Sequence, residues 1–468
     1  MSLTNIFEMG KGYLMLGGGL VLITALCFSI GYGLIYRKMC KGRARLSTGR
    51  LFLSAVCICY LAVLFGATVL RPGTEMRAAC IYPFYSYREA WHSFSSVEWR
   101  NLILNILLFV PLGFLLPFWA SHFRKFYWTV GAGLLTTLAI ELIQLATGRG
   151  VFEADDLINN TLGTAIGYGL FAFCSGIRSR FRRKTAWFGL LPAALTLAAY
   201  MTGYLIYENQ AYGNLICEPN YTVNMKDAEV SAACDLEQEE KTGTLYRSAV
   251  AERQEMDRRA QDMFAALGTD IGEERTVEYD DVTVYYSKDE RYCLWLYKNG
   301  LTYSFTDYSV FDDTFDGEKK ENATEEEIKE ALSKYGIEAP EEAAFEENGE
   351  GRYTFLASMC EKDDGAVLDG SIQLTYNTNG VVSELNYRMI ELESCGEEAL
   401  ISQREAYERI KAGKFEYLYF ADKIQTLLVK AVSLGYEMDS KGFYQPVHCF
   451  TCERNGEDLE LRIPALAQ

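Results

Sequence analysis

IELIQLATGRGVFEADDLINNTLGTAIGY (140–168) decides the fold. It starts inside one apolar run, leaves through a short acidic connector, and enters a second run. The two runs, 126–147 and 157–177, each have the roughly 20 residues a helix needs to cross a bilayer. Glu141 and Gln144 lie three apart and share a helix face. Asp156, Asn160, Gly163 and Gly167 fall at i, i+4, i+7 and i+11, which is one stripe of a helix. Arg149 sits between. A charge within a membrane helix costs about 2.5–3.5 kcal/mol, so it is normally paired, turned to a cavity, or functional.

Outward from this stretch, four more apolar runs reach bilayer length, at about 13–36, 51–70, 101–119 and 186–206. A soluble bundle of six helices apolar on every face would need each one wholly surrounded. The expected fold is therefore an α-helical polytopic membrane domain of about six spans over 1–206. A linker at 207–224 and a soluble α+β extracytoplasmic domain over 225–468 follow it. Charge divides at the same place. Residues 1–206 hold 19 Lys+Arg and 8 Asp+Glu, whereas 207–468 hold 26 and 55. The acidic half excludes nonspecific nucleic-acid binding through that surface.

Basic residues set the orientation. They crowd the first connector (Arg37, Lys38, Lys41, Arg43, Arg45, Arg50), the third (Arg124, Lys125) and the fifth (RSRFRRK, 178–184). These alternate connectors belong in the cytoplasm. The N-terminus and everything after about 207 are then expected outside the cell. The length of the first run and the basic residues behind it speak against a cleaved signal peptide.

The third run opens NLILNILLFVPLGFLLP (101–117), with Asn101 and Asn105 on one face. Given this orientation, Asn101, Asn105, Glu141, Gln144, Arg149, Asp156 and Asn160 all gather at the outer leaflet. Two acids and one base at one depth exceed what helix packing needs, and they are the candidate ligand-binding residues. Arg149 is expected to pair with Glu141 or Asp156, or to hold a phosphate through its planar fork. Pro111, Gly113, Gly163 and Gly167 read as kink and close-packing positions.

At these residues the chain resembles the VanZ-like family. The resemblance rests on NxxxNxxxFxPxG (101–113), ExxQ (141–144) and R-x6-D-x3-N-x2-G-x3-G (149–167), and it covers about 51–175. It implies a membrane protein of the cell envelope of a Gram-positive bacterium. The family's namesake raises tolerance to the antibiotic teicoplanin, and many members have no tie to resistance. A large outer domain is a departure from the short family form.

Beyond Tyr207 the pattern changes. A helix is expected at 248–267, a strand at 276–287, and a hairpin at 292–305 turning on Asn299-Gly300. Thr324 opens TEEEIKEALSKYG as a capping box with Glu327. Strands follow at 352–359, 370–377 and 381–392, then a helix at 402–412 and strands near 424–435 and 445–452. Helix followed by antiparallel strands, recurring, gives the α+β expectation. TYNTNGVVSELNY (375–387), SQREAYERIKAGKF (402–415) and PVHCF (446–450) resemble the PepSY and YycI-type extracytoplasmic modules.

Eight of the 13 cysteines are expected outside, where disulfides can form, and their pairing is not readable from spacing. Cys449-Phe-Thr-Cys452 has redox or zinc spacing but falls in a strand-like stretch, which disfavours either role. No metal-ligand cluster, nucleophile motif or phosphate loop stands out, so no cofactor, metal or reaction is assigned. Acid–base catalysis by the membrane carboxylates stays open. Two functions remain. One is a protein that binds or modifies a membrane lipid, a lipid-linked cell-wall precursor or a wall ligand at the outer leaflet. The other is a membrane-anchored sensor or regulator whose outer domain binds an envelope protein.

Overall fold

The computed structural model describes residues 48–68, 78–178, 186–279, 282–312, 314–362 and 366–467. The expected span at 13–36 and most of the first and fifth basic connectors lie outside the described residues. The chain forms two compact units. The first runs to Asp235 and also takes in Tyr407–Val432 and Phe450–Ile463; the second comprises Leu236–Ala406, Ser433–Cys449 and Pro464–Gln468.

The first unit is led by helices α1 (Thr48–Thr68), α2 (Tyr85–Ser93), α3 (Ser96–Trp119), α4 (Phe126–Thr147), α5 (Ala154–Arg178) and α6 (Leu191–Asn209). Two short strands, β1 (Ala79–Cys80) and β2 (Phe152–Glu153), pair in parallel. Three helices are long and apolar enough to cross a membrane: α3, α4, and Ala186–Asn209, which contains α6. The apolar part of α1, Phe52–Thr68, is shorter. α5 is 25 residues long, but its polar stripe and glycines dilute its hydropathy. Length and apolarity thus give three candidate spans among the described residues, where six were expected.

These helices bury little and expose much. Leu134, Leu135, Leu142 and Ile143 on α4, and Leu191, Leu195, Leu197 and Leu205 on α6, are all exposed. Water does not tolerate apolar faces this continuous. Buried instead are polar groups, including Thr129, Thr137, Glu141, Asn159, Asn160 and Thr164.

α3 and α5 cross at backbone contact, and their glycines make it possible. A Cβ at Gly163 would fall on the Ile106 carbonyl oxygen, one at Gly167 on that of Val110, and one at Gly113 on that of Thr164. Pro111 lies inside α3; without an N–H it leaves the Leu107 carbonyl with no helical donor.

Residues 207–224 are not an open linker. Leu215, Cys217, Tyr221 and Val223 are buried. Tyr221 stacks on Tyr82 with ring centroids 4.2 Å apart. Arg88 donates to the Asn220 carbonyl at 2.9 Å, and Val223 N–H to the Gly413 carbonyl at 2.9 Å. The apolar residues of this polar-looking stretch are spent on the first unit. A parallel pair, β3 (Glu229–Ala232) with the start of β14 (Thr426–Met438), also belongs there.

The second unit is sheet-rich. β4 (Lys241–Ser248) is followed by α7 (Arg253–Ala266), then β5 (Val277–Glu278), β6 (Val282–Tyr286), β7 (Tyr292–Tyr297) and β8 (Tyr303–Asp307). After α8 (Glu325–Ser333) come β9 (Ala344–Gly349), β10 (Arg352–Glu361), β11 (Val367–Tyr376), β12 (Val382–Tyr387) and β13 (Ile390–Leu400). Strands run in the order β4-β13-β11-β12-β8-β7-β6-β5, and β10 and β9 branch from β11. The core packs Met256 and Phe264 of α7 and Ile328 and Leu332 of α8 with Leu294, Phe305 and Phe355 of the strands. α9 (Gln403–Lys411) leads into β14, β15 (Phe443–Arg454) and β16 (Glu457–Pro464).

Local details depart from expectation. The 292–305 hairpin turns through Lys298–Leu301, with Gly300 and Leu301 both left-handed, because Tyr297 N–H still bonds the Thr302 carbonyl. Thr324 caps α8 through Glu327 N–H at 3.3 Å, but the Glu327 carboxylate pairs with Lys320 and not with the cap. The expected 248–267 helix starts only at Arg253, since 241–248 is a strand.

Candidate functional site

Five helices, α1 to α5, and one connector converge on a cavity in the first unit, of about 280 Å³. α3 contributes Glu98, Asn101 and Asn105. α4 contributes Glu141 and Gln144, and α5 contributes Asp156 and Asn160. The i, i+3 and i, i+4 spacings put each pair on one helix face. Thr68, Ser86, Glu89 and Glu153 complete the polar lining. Of the seven binding residues expected from sequence, six line this space. Arg149 does not: it is exposed, one turn past Gln144, and its N–H bonds the Gln144 carbonyl at 3.1 Å.

The groups hold one another. Asn105 Nδ2 donates to Asp156 Oδ1 at 2.5 Å. Asn160 Nδ2 donates to Thr137 Oγ1 at 2.9 Å, and Gln144 Nε2 to the Thr68 carbonyl at 2.9 Å. Glu141, 1% exposed, accepts the Glu153 N–H at 3.1 Å. Ser86 Oγ donates to Glu153 Oε2 at 3.1 Å.

A buried carboxylate shapes the wall. Asp155 accepts the Phe84 N–H at 2.6 Å and the Ser86 N–H at 2.8 Å. It thus satisfies donors at the start of α2, where negative charge is favoured. Phe84 is left-handed there (φ 64°), a conformation few non-glycine residues adopt. The β1–β2 pair ties the same connector down. Burial pushes the Glu153 carboxyl up to about 7, and the Asp156, Asp155 and Glu89 carboxylates add to the shift. Glu89 is also raised, by burial and then by Glu98 and Glu416.

Sequence reading missed Glu89, Glu98 and Glu153 as cavity residues. The signal was there for Glu153, in the acidic connector at 153–156. Glu89 lies on the short helix α2 and Glu98 in the first turn of α3, where charge is ordinary.

Within the CxxC pair, Cys452 offers no reactive thiol. Cys452 is fully buried, and burial pushes its thiol up to about 12. Two residues three apart on β15 face opposite sides. Cys80, Cys234, Cys293, Cys360, Cys395 and Cys452 carry free thiols. Among the described residues no group of three or more His, Cys, Asp or Glu is placed to hold a metal ion.

A largely polar cavity between apolar, outward-exposed helices defines a class: a helical membrane-type domain with an internal polar space. Residues 51–175 match the VanZ/LLP1 family model. This segment is a VanZ-like domain, and with the apolar helices it marks a membrane protein. No curated protein matches the chain. One solved structure to which it is similar is an uncharacterized protein from Eubacterium rectale, at 9% identity and a TM-score of 0.27, covering 52% of this chain and 88% of that one.

Proposed function

We propose that this chain is a multi-pass protein of the cell envelope, with about six spans and with its N-terminus and C-terminal part outside. Its VanZ-like domain binds the head group of a membrane lipid or lipid-linked cell-wall precursor at the outer leaflet. The carrying observation is the convergence of Asn101, Asn105, Glu141, Gln144, Asp156 and Asn160 on one cavity. Aromatic residues support the placement. Trp91, Phe94, Trp99, Tyr200 and Tyr207 cluster where α3 begins and α6 ends, as rings do at a membrane interface. Trp119, Tyr127 and Trp128 lie exposed at the opposite ends of α3 and α4, beside Arg124 and Lys125.

Arg149 lies outside the cavity lining, so the head group is read by the carboxylates and amides. An effect on teicoplanin tolerance follows where the ligand is a wall precursor, and deleting the protein would then change that tolerance. The direct test is native mass spectrometry of the intact protein from mild detergent, beside Asn160→Leu and Asn105→Ala copies. A lipid species retained by the unmodified chain and lost from both variants supports the reading. No retained species on any copy overturns it, and moves function to the sheet-rich part and a protein partner.

A further inference from the structure

The cavity offers mostly one kind of chemistry. The described residues lining it include five carboxylates, Glu89, Glu98, Glu141, Glu153 and Asp156, and no Lys, Arg or His. Three of its amides donate inward, to Asp156, Thr137 and the Thr68 carbonyl. The acceptors of two of them remain uncommitted. Asn160 is 4% exposed, and its Oδ1 has no partner; Gln144 Oε1 is likewise buried without one. Native structures rarely leave such atoms bare. A carboxylate as buried as Glu141, 1% exposed, also calls for a compensating positive charge.

We infer that the cavity receives a primary ammonium group, which sets its N–H donors against Asn160 Oδ1, Gln144 Oε1 and the Glu141 and Asp156 carboxylates. This rests on the reading that the cavity is a binding site, and it names the ligand's chemistry. An ammonium brings three donors, no acceptor and one positive charge. Alternatives fit worse. A phosphate would face five acids. A quaternary ammonium is held by aromatic faces, and none is among the described lining residues. A metal ion lacks a ligand group among the described residues.

The ammonium could come from a lipid head group or from a free amine, and one experiment separates them. The full chain in mild detergent is given phosphatidylethanolamine, its N-acetyl derivative and phosphatidylglycerol in equal amounts, and adducts are counted by native mass spectrometry. The expected result is at least about tenfold more phosphatidylethanolamine than N-acetyl adduct, with the preference abolished in Glu141→Gln. Equal retention of the acetylated lipid overturns the inference and leaves the binding reading standing; this comparison needs no variant to fold. With no lipid retained, a thermal midpoint raised by millimolar ethanolamine in the unmodified chain but not in Glu141→Gln supports the inference with a soluble source. No lipid and no ethanolamine shift overturns both.

Discussion

At the scale of single residues, the connector between α4 and α5 governs the cavity, and Glu153 is its most pH-sensitive part. Its folded pKa, about 7, lies above the ordinary carboxyl value. A raised acid stabilises the fold when protonated, so this contribution is full below about pH 4.5 and is lost as pH rises through 7. The groups around it are Glu141, Asp155, Asp156 and Glu89, with Ser86 as donor. Glu153→Gln is therefore expected to raise the Tm at pH 8 by about 2 °C or more and to flatten its pH dependence between about 4.5 and 7. A thermal scan across pH checks this; an unchanged slope refutes it. Asp155 acts through its hydrogen bonds. Its carboxylate holds two N–H groups at the entry to α2, so Asp155→Ala should cost about 1.5–3 kcal/mol, read by denaturation in detergent.

At the scale of elements, the α3–α5 crossing is the tightest joint of the first unit. Since a Cβ at Gly163 or Gly167 would land on backbone and not on a movable side chain, Gly167→Ala should cost at least about 1–3 kcal/mol. Gly131, with open space around it, should accept Ala at no loss, and the pair of thermal midpoints tests the contrast. Much of this joint and of the site was legible beforehand, because helix periodicity fixes which residues share a face. Asn101 with Asn105, Glu141 with Gln144, and Asp156 with Asn160 meet as their spacing implied. What spacing does not carry is where a connector folds back. Arg149 had the right charge and sequence neighbourhood, yet α4 ends at a left-handed Gly148 and Arg149 is left exposed. Ser86 and Glu89 reach the cavity only because Asp155 anchors α2, a contact spanning about 70 residues that no local pattern announces. β4 and most of β13 were missed for a related reason: they pair with each other across about 150 residues, and their exposed residues blur the alternation, as they do in β16.

At the scale of the molecule, composition and compactness divide the chain differently. Charge changes sign near 206, but the first compact unit continues to Asp235 and recruits Tyr407–Val432 and Phe450–Ile463. Tyr419 packs edge-on to Tyr85 at 5.2 Å, and Arg454 donates to Tyr417 at 2.9 Å within that unit. A fragment of residues 207–468 should therefore expose Tyr221 and Tyr419 and bind a hydrophobic dye far more than the full chain does. A fragment that melts cooperatively without binding dye would count against this division.

The same arrangement bears on how the protein is made. A ribosome delivers α1 to α6 early, yet the segments that complete their unit emerge only after more than 170 further residues have appeared. The helical part must wait, unfinished, while most of the sheet-rich unit is synthesised. A message broken or a chain cut anywhere before Tyr407 would leave an unsealed precursor, marked for proteolysis by its own exposed tyrosines.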